Sequence, residues 1–294
     1  MRDVQEDLEH VLQQARPGGV EAVPTAAALS RVLAAEVTSD IDSPPHDKAL
    51  MDGYAIVAAD LSEGQADLQI IEQVTAGQVP TQKISSGQAT RIMTGAPIPD
   101  GADAVVMIEQ TETSGEQVQI RAAVISPGNN IMRRATSLAV GQTVLTPGTL
   151  IRPIEVGLLA EVGCTEVSVF ARPRVAVMTS GNELVTPDNK PGPGQIRNSN
   201  NAMLVALAQR AGADAIDLGI ARDEEQDIRA RVVEGLTHDV LVLSGGVSAG
   251  NLDLIPQVLA EAGVRQVFHK VNLKPGKPLW FGVYERENQR TLVF

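Results

Sequence analysis

The sequence predicts a multidomain protein of α/β plus β class, and three observations carry that expectation. The last third alternates short apolar runs with amphipathic segments. Residues from about 42 to 141 break into brief apolar pieces punctuated by Gly and Pro. The chain has 294 residues, which at roughly 100–200 residues per domain leaves room for more than one core. Hydrophobic residues make up 43% and charged residues 20%, a globular balance that excludes a wholly disordered or collagen-like chain. Aromatics are only 2%, so the core falls to Val, Leu, Ile and Ala.

In chain order, Val4, Leu8, Val11 and Leu12 recur at i, i+4, i+7 and i+8 and predict an amphipathic helix stopped by Pro17-Gly18-Gly19. A second helix is expected from Thr25 to Glu36. The Gly- and Pro-punctuated stretch that follows, with Gln69–Val74, Thr90–Met93 and Ala104–Ile108 as its apolar pieces, reads as a β-rich domain. Pro153 opens a helix that Gly163 closes. Beyond it come VAVMTS (175–180), a helix over about 200–211, strand AIDLGI, a helix over about 224–236, strand VLVLS, a helix over about 254–262 and strand RQVFHKV. That alternation predicts a right-handed parallel βαβ sheet covered on both faces. Ligands in such sheets bind beyond the carboxyl ends of the strands, which makes the loops after each strand the informative ones.

The formal net charge is -12. It repels phosphate backbones and anionic lipid, so neither nucleic acid nor a membrane is an expected partner. Cys164 is the only cysteine, which excludes an intramolecular disulfide and a Cys-rich zinc site. The first residues lack an apolar signal region, and no run approaches the roughly 20 apolar residues of a membrane span. A cytoplasmic protein is expected.

Four strand-end loops carry candidate chemistry. Ser244-Gly245-Gly246-Val247-Ser248-Ala249-Gly250 follows VLVLS, and its glycines allow close approach of a ligand as well as a tight turn. It is neither a Walker loop nor a dinucleotide fingerprint. Glu183, Asp223 and Asp253 sit in or beside such loops; converging on a phosphate they would suit Mg²⁺, and singly each would serve equally as a helix cap or solvated group. Lys274-Pro275-Gly276-Lys277-Pro278 presents two ammonium groups on a stiff turn, an arrangement suited to phosphate, sulfate or a tetrahedral oxometalate. In the β-rich region Met51-Asp52-Gly53-Tyr54 and Met93-Thr94-Gly95-Ala96 read, taken singly, as turns.

Together HDKALMDGYA, IMTGAPIPDGADAVVMIEQTE, VAVMTSGNELV, GQIRNSN, LVLSGGVSAGNLD and KPGKPLWFG resemble the molybdopterin molybdotransferases, the molybdenum insertases, in order and spacing across nearly the whole chain. The resemblance implies insertion of molybdenum from molybdate into adenylylated molybdopterin, with hydrolytic loss of AMP and Mg²⁺ as cofactor. It implies an α/β domain like that of molybdopterin adenylyltransferase (1–20 and 173–294), a linker domain (21–42 and 142–172), an inserted β-rich domain (43–141), and a C-terminal β-domain that this sequence does not contain. It also implies a homodimer whose cleft joins the α/β domain of one subunit to the β-rich domain of the other, and it makes the molybdopterin adenylyltransferase a candidate partner.

Carried over residue by residue, the family's catalytic acids and hydroxyl fall on Asp52, Thr94, Glu183, Asp223 and Asp253. The metal set falls on Asp223, Asp253 and Glu183, and the molybdate lysines on Lys274 and Lys277. The pterin and phosphate positions fall on Asn198, Asn200, Ser244, Gly245, Gly246, Ser248 and Gly250. One segment departs from the family: an R-x-x-G-x-D pattern is replaced by Met132-Arg133-Arg134-Ala135-Thr136-Ser137, with Arg133 as a candidate substitute for the missing cation. That departure leaves a non-catalytic molybdopterin-binding paralogue or scaffold as the alternative. A nucleotidyltransferase acting on the pterin fits less well, because KPGKP and the β-rich segment match the insertase.

Overall fold

A computed structural model describes residues 3–61, 63–123, 125–245, 254–274, 276–287 and 289–294. The chain forms two compact units: Met1–Ala34 with Leu150–Arg152 and Glu166–Phe294, and Ala35–Thr149 with Pro153–Thr165. Of the segments expected to form a linker, 21–34 and 166–172 pack with the first unit, and 35–42, 142–149 and 153–165 with the second.

The chain opens with helix α1 (Val4–Gln14), whose N-cap Asp3 accepts from Gln5 N at 2.8 Å. Strand β1 (Val20–Pro24) follows. The helix expected over 25–36 does not form. Only Thr25–Ala27 makes a 3₁₀ turn, and Ser30 takes a left-handed φ of 63°. Ala34 N then donates to Ser168 O at 2.8 Å, and Leu33 bridges Val169. Backbone pairing here outweighs helix propensity.

The second unit carries β2 (Gly53–Ile56), β3 (Gln65–Val74), β4 (Gln88–Ile92), β5 (Ala104–Met107), β6 (Thr111–Ser114) and β7 (Gln117–Arg121). They form one mixed sheet in the spatial order β5, β2, β4, β3, β7, β6, parallel only between β3 and β4. The two-residue period of a strand sends Tyr54, Ile56 and Val106 into one apolar cluster and Ala55 and Val105 into another. Helix α2 (Pro153–Glu161) belongs to this unit, with Pro153 in its first turn and Gly163 at φ 72° beyond its end.

The first unit resumes with β8 (Glu166–Phe170), antiparallel to β1. Its main sheet contains β9 (Arg174–Ser180), β10 (Asp214–Ala221), β11 (Val240–Ser244), β12 (Arg265–His269), β13 (Trp280–Arg286) and β14 (Gln289–Val293). The spatial order is β10, β9, β11, β14, β13, β12. The first four are parallel: β9, β10 and β11 as expected from the βαβ rhythm, and β14 in addition. The strand at RQVFHKV differs from expectation: β12 pairs antiparallel with β13, and β13 antiparallel with β14. Short connections between these consecutive strands favour hairpins over crossovers.

Helices α3 (Ser199–Arg210), α4 (Glu225–Gly235) and α5 (Ile255–Glu261) cover this sheet. Ala176 and Met178 pack with Ile228 and Val232 of α4 and Val258 of α5. Val175 and Val177, alternating to the other face, pack with Leu204 and Val205 of α3. The sparse aromatics are concentrated: Phe281 lies 5.3 Å from Phe268 and 4.9 Å from Phe294, ring centre to ring centre. Val11 of α1 packs on this cluster. No helix among the described residues is long and apolar enough to cross a membrane.

Candidate functional site

Three neighbouring strands of the α/β unit end together. The hydroxyl pair Thr179 and Ser180 closes β9, 1% and 4% exposed, after a run of buried apolar residues. Next comes Gly181, where a Cβ would overlap the carboxylate of Glu183, so glycine leaves room for that side chain to fold back. Beyond β10, Asp223 N donates to Asn182 Oδ1 at 3.3 Å, and Asn182 N donates to Asp223 Oδ2 at 3.2 Å. The reciprocal pair latches the two loops and sets Glu183 and Asp223 at adjacent strand ends. Asp223 is no helix cap: α4 is preceded by Glu224, which makes no side-chain capping bond.

Beyond β11, Gly245 has φ 105°, and a Cβ there would overlap the carbonyl oxygen of Ser180. This close approach to β9 is what requires the glycine after Ser244. Asn200 Nδ2 donates to Ser244 Oγ at 3.2 Å. Asn198 Nδ2 donates to Thr179 Oγ1 at 2.7 Å, while its carbonyl caps α3 by accepting from Asn201 N at 3.2 Å. Asn198 therefore shapes the site with both ends of its amide already engaged. Glu183, Asn198, Asn200, Ser244 and Gly245 line, with Thr179 and Ser180, a cavity of about 190 Å³. The Ser180 hydroxyl is buried there without a hydrogen-bond partner among the described residues. Sequence reasoning passed over it; the signal was a hydroxyl pair ending an otherwise apolar strand.

Gly246, Ser248, Gly250 and Asp253 lie outside the described residues. Among the described residues no three His, Cys, Asp or Glu side chains converge as a metal site. Glu183 and Asp223 nonetheless supply hard oxygen donors at neighbouring strand ends, the chemistry that Mg²⁺ shares with a phosphate.

Lys274 and Lys277 are exposed in the connection between β12 and β13, where Lys277 O accepts from Val271 N at 3.1 Å and Leu279 N at 3.0 Å. Two antiparallel steps separate β12 from β14, so β12 runs in the same sense as the parallel strands. The lysine turn thus opens at the carboxyl edge, about 14 Å along the sheet from the end of β11, three strand spacings away.

In the β-rich unit Asp52 directly precedes β2 and Thr94 lies two residues beyond β4, strands that pair at Gly53 and Ile92. Thr94 N and Thr94 Oγ1 both donate to Asp52 Oδ1 at 2.7 Å. The backbone bond from Thr94, then its hydroxyl bond, hold this exposed carboxyl below the usual aspartate value. Gly53 is no turn residue, contrary to the single-motif reading: it begins a strand, and a Cβ there would overlap the Val106 carbonyl oxygen. Gly95, next to Thr94, borders a cavity of about 590 Å³ that also takes in His46 and Lys83, which sequence reasoning did not select.

Arg133 Nη1 donates to Asp47 Oδ2 at 2.5 Å, and Arg134 N donates to Asp47 Oδ1 at 2.8 Å. Burial alone would raise Asp47; the bonds from Arg134 and Arg133 outweigh it and lower its pKa. Arg134 also pairs with Asp42. Arg133 is therefore engaged in holding its own loop and does not stand as a free substitute for the family's arginine at position 132.

A family model described as "MoeA N-terminal region (domain I and II)" matches residues 2–163, and one described as "Probable molybdopterin binding domain" matches residues 176–294. The chain belongs to the MoeA family. Among its relatives, the molybdopterin molybdenumtransferase of Nostoc sp. is 37% identical over 264 residues, covering 88% of this chain and 60% of the relative. That of Bacillus subtilis is 36% identical over 281 residues, covering 93% and 65%. The chain thus spans 60–65% of the length of these two relatives. The crystal structure of a molybdopterin biosynthesis MoeA protein from Pyrococcus horikoshii matches all of this chain and 74% of its own, at 32% identity and a TM-score of 0.82. The mixed sheets and multidomain organisation are those of the MoeA fold.

Proposed function

We propose that this MoeA-family chain inserts molybdenum from molybdate into adenylylated molybdopterin, with hydrolytic release of AMP. The observation that carries the reading is the placement of Glu183, Asp223, Ser244-Gly245 and the lysine turn along one edge of the same sheet, at the carboxyl ends of strands running in one sense. In this reading the Ser244–Gly250 loop, with Gly246 and Ser248, receives the pterin and its phosphate through backbone N–H groups, and Asn200 orients Ser244. Lys274 and Lys277 hold the tetrahedral dianion by charge. Glu183 and Asp223, with Asp253, would hold Mg²⁺, which when bound neutralises phosphate charge and orients it for attack by water. Asp52, fixed by Thr94, would orient water by accepting its hydrogen bond when brought to the site by a second copy of the chain in a homodimer. The reaction would take place in the cytoplasm. The named relatives are transferases, which favours this reading over the non-catalytic scaffold that the 132–137 segment leaves as the alternative.

Single-turnover AMP release from adenylylated molybdopterin tests the reading, run with and without molybdate and Mg²⁺ on this chain and on a form extended past Phe294. Release that requires both ions is expected. Tight substrate binding with no release from either form would instead establish the scaffold.

A further inference from the structure

The opposite edge of the same sheet holds a second cavity, of about 700 Å³, between the end of α1 and the amino ends of β9, β11 and β14. It is separated from the carboxyl edge by the length of β9, about 20 Å at 3.3 Å per residue. In a chain of formal net charge -12, Arg16, Arg172, Arg174 and Arg290 all line it, against one lining carboxylate, Asp239.

Asp239 is already engaged, accepting from Arg174 N at 2.7 Å. The nearby Glu285 takes up Arg290 at 3.2 Å and Arg16 at 3.9 Å. Arg172 has no ion pair or hydrogen bond among the described residues, and the Arg174 guanidinium meets only His238 Nε2, at 3.1 Å. Arg290 Nη2 donates to Gln14 Oε1 at 2.6 Å, while its Nε is buried without a partner.

Arg172 and Arg174 flank Pro173 at the amino end of β9, and both line the cavity. The carbonyl end of α1 adds no attraction for an anion, and Ala15 N is committed to Val11 and Leu12. Recognition therefore rests on the guanidinium forks, which match phosphate oxygens two at a time. The volume suits a ligand of small-molecule size.

We infer that this amino-edge cavity is a binding site for a phosphorylated small molecule, with Arg172 and Arg174 as its principal phosphate contacts. It is separate from the proposed molybdate and pterin site.

The test titrates inorganic pyrophosphate into the chain by calorimetry, alongside Arg172→Ala, Arg172→Ala/Arg174→Ala, and Lys274→Ala/Lys277→Ala, each checked by circular dichroism for intact folding. The inference expects the double arginine variant to bind at least about tenfold more weakly, the single variant to fall between, and the lysine variant to retain this site. Titrating ADP in parallel separates a nucleotide from a bare polyphosphate, and either satisfies the inference. Unchanged pyrophosphate affinity in the folded arginine variants, or loss only in the lysine variant, overturns it.

Discussion

Asp52 and Thr94 stand 42 positions apart, and nothing in either segment alone identifies them as partners. The family resemblance selected both, and the fold supplies the reason: the strands they flank are paired, and one carboxyl oxygen accepts two bonds from Thr94. Because the folded pKa is lowered, the associated stability is complete above the ordinary value of 3.8 and is lost as pH falls through the folded value. Thr94→Val removes only the hydroxyl bond. Carboxyl-carbon NMR titration should show the Asp52 pKa rising toward 3.8 yet staying below it, because the stronger backbone bond remains. An unmoved pKa would mean that the hydroxyl bond does not form in solution. Ala135 offers a second test: it occupies φ 58° where the family pattern has glycine. Ala135→Gly relieves left-handed strain at some cost in unfolded-chain entropy, and should raise stability by about 0.5–1 kcal/mol in urea unfolding.

Legibility at the level of elements followed how far local pattern and long-range pairing agreed. VLVLS became β11 at the positions expected, and the helices after β9, β10 and β11 formed within a residue or two, because each apolar stripe faces a buried sheet. The stretch 25–36 was misread because its pattern is helical while its backbone partners, Ile151 and Ser168, are distant in sequence. The antiparallel pairing of β12 with β13 was equally hidden, since pairing depends on which strand becomes the neighbour. Within the site, the glycines after β9 and β11 were legible as punctuation, but the atoms they make room for were not. Gly53→Ala drives a methyl into the Val106 carbonyl at the pairing of β2 with β5, and should cost about 3 kcal/mol of stability, read as a lower urea midpoint. The lysine turn has the converse profile: its side chains are exposed, so Lys274→Ala/Lys277→Ala should leave folding unchanged. Molybdate affinity measured by equilibrium dialysis should fall at least about tenfold while pterin binding persists; unaltered molybdate binding would remove the lysines from the proposed site.

For the whole molecule, the candidate residues divide between two units that are each compact: Asp52 and Thr94 in one, and the strand-end residues with the lysines in the other. The proposed reaction needs both sets on one substrate, and the proposal brings them together across a homodimer. Subunit mixing separates that arrangement from a site completed within a single chain. Asp52→Asn and Lys274→Ala/Lys277→Ala should each be inactive as homodimers. After exchange, random pairing makes half the dimers mixed. If the site is shared across the dimer, each mixed dimer holds one site with both defects and one with neither, so AMP release should recover to about a quarter of the unmodified level. If Asp52 and the lysines act within one chain, every site in the mixed dimer keeps one defect and activity stays absent. With both parent homodimers inactive, the recovered fraction therefore reports which chain supplies Asp52.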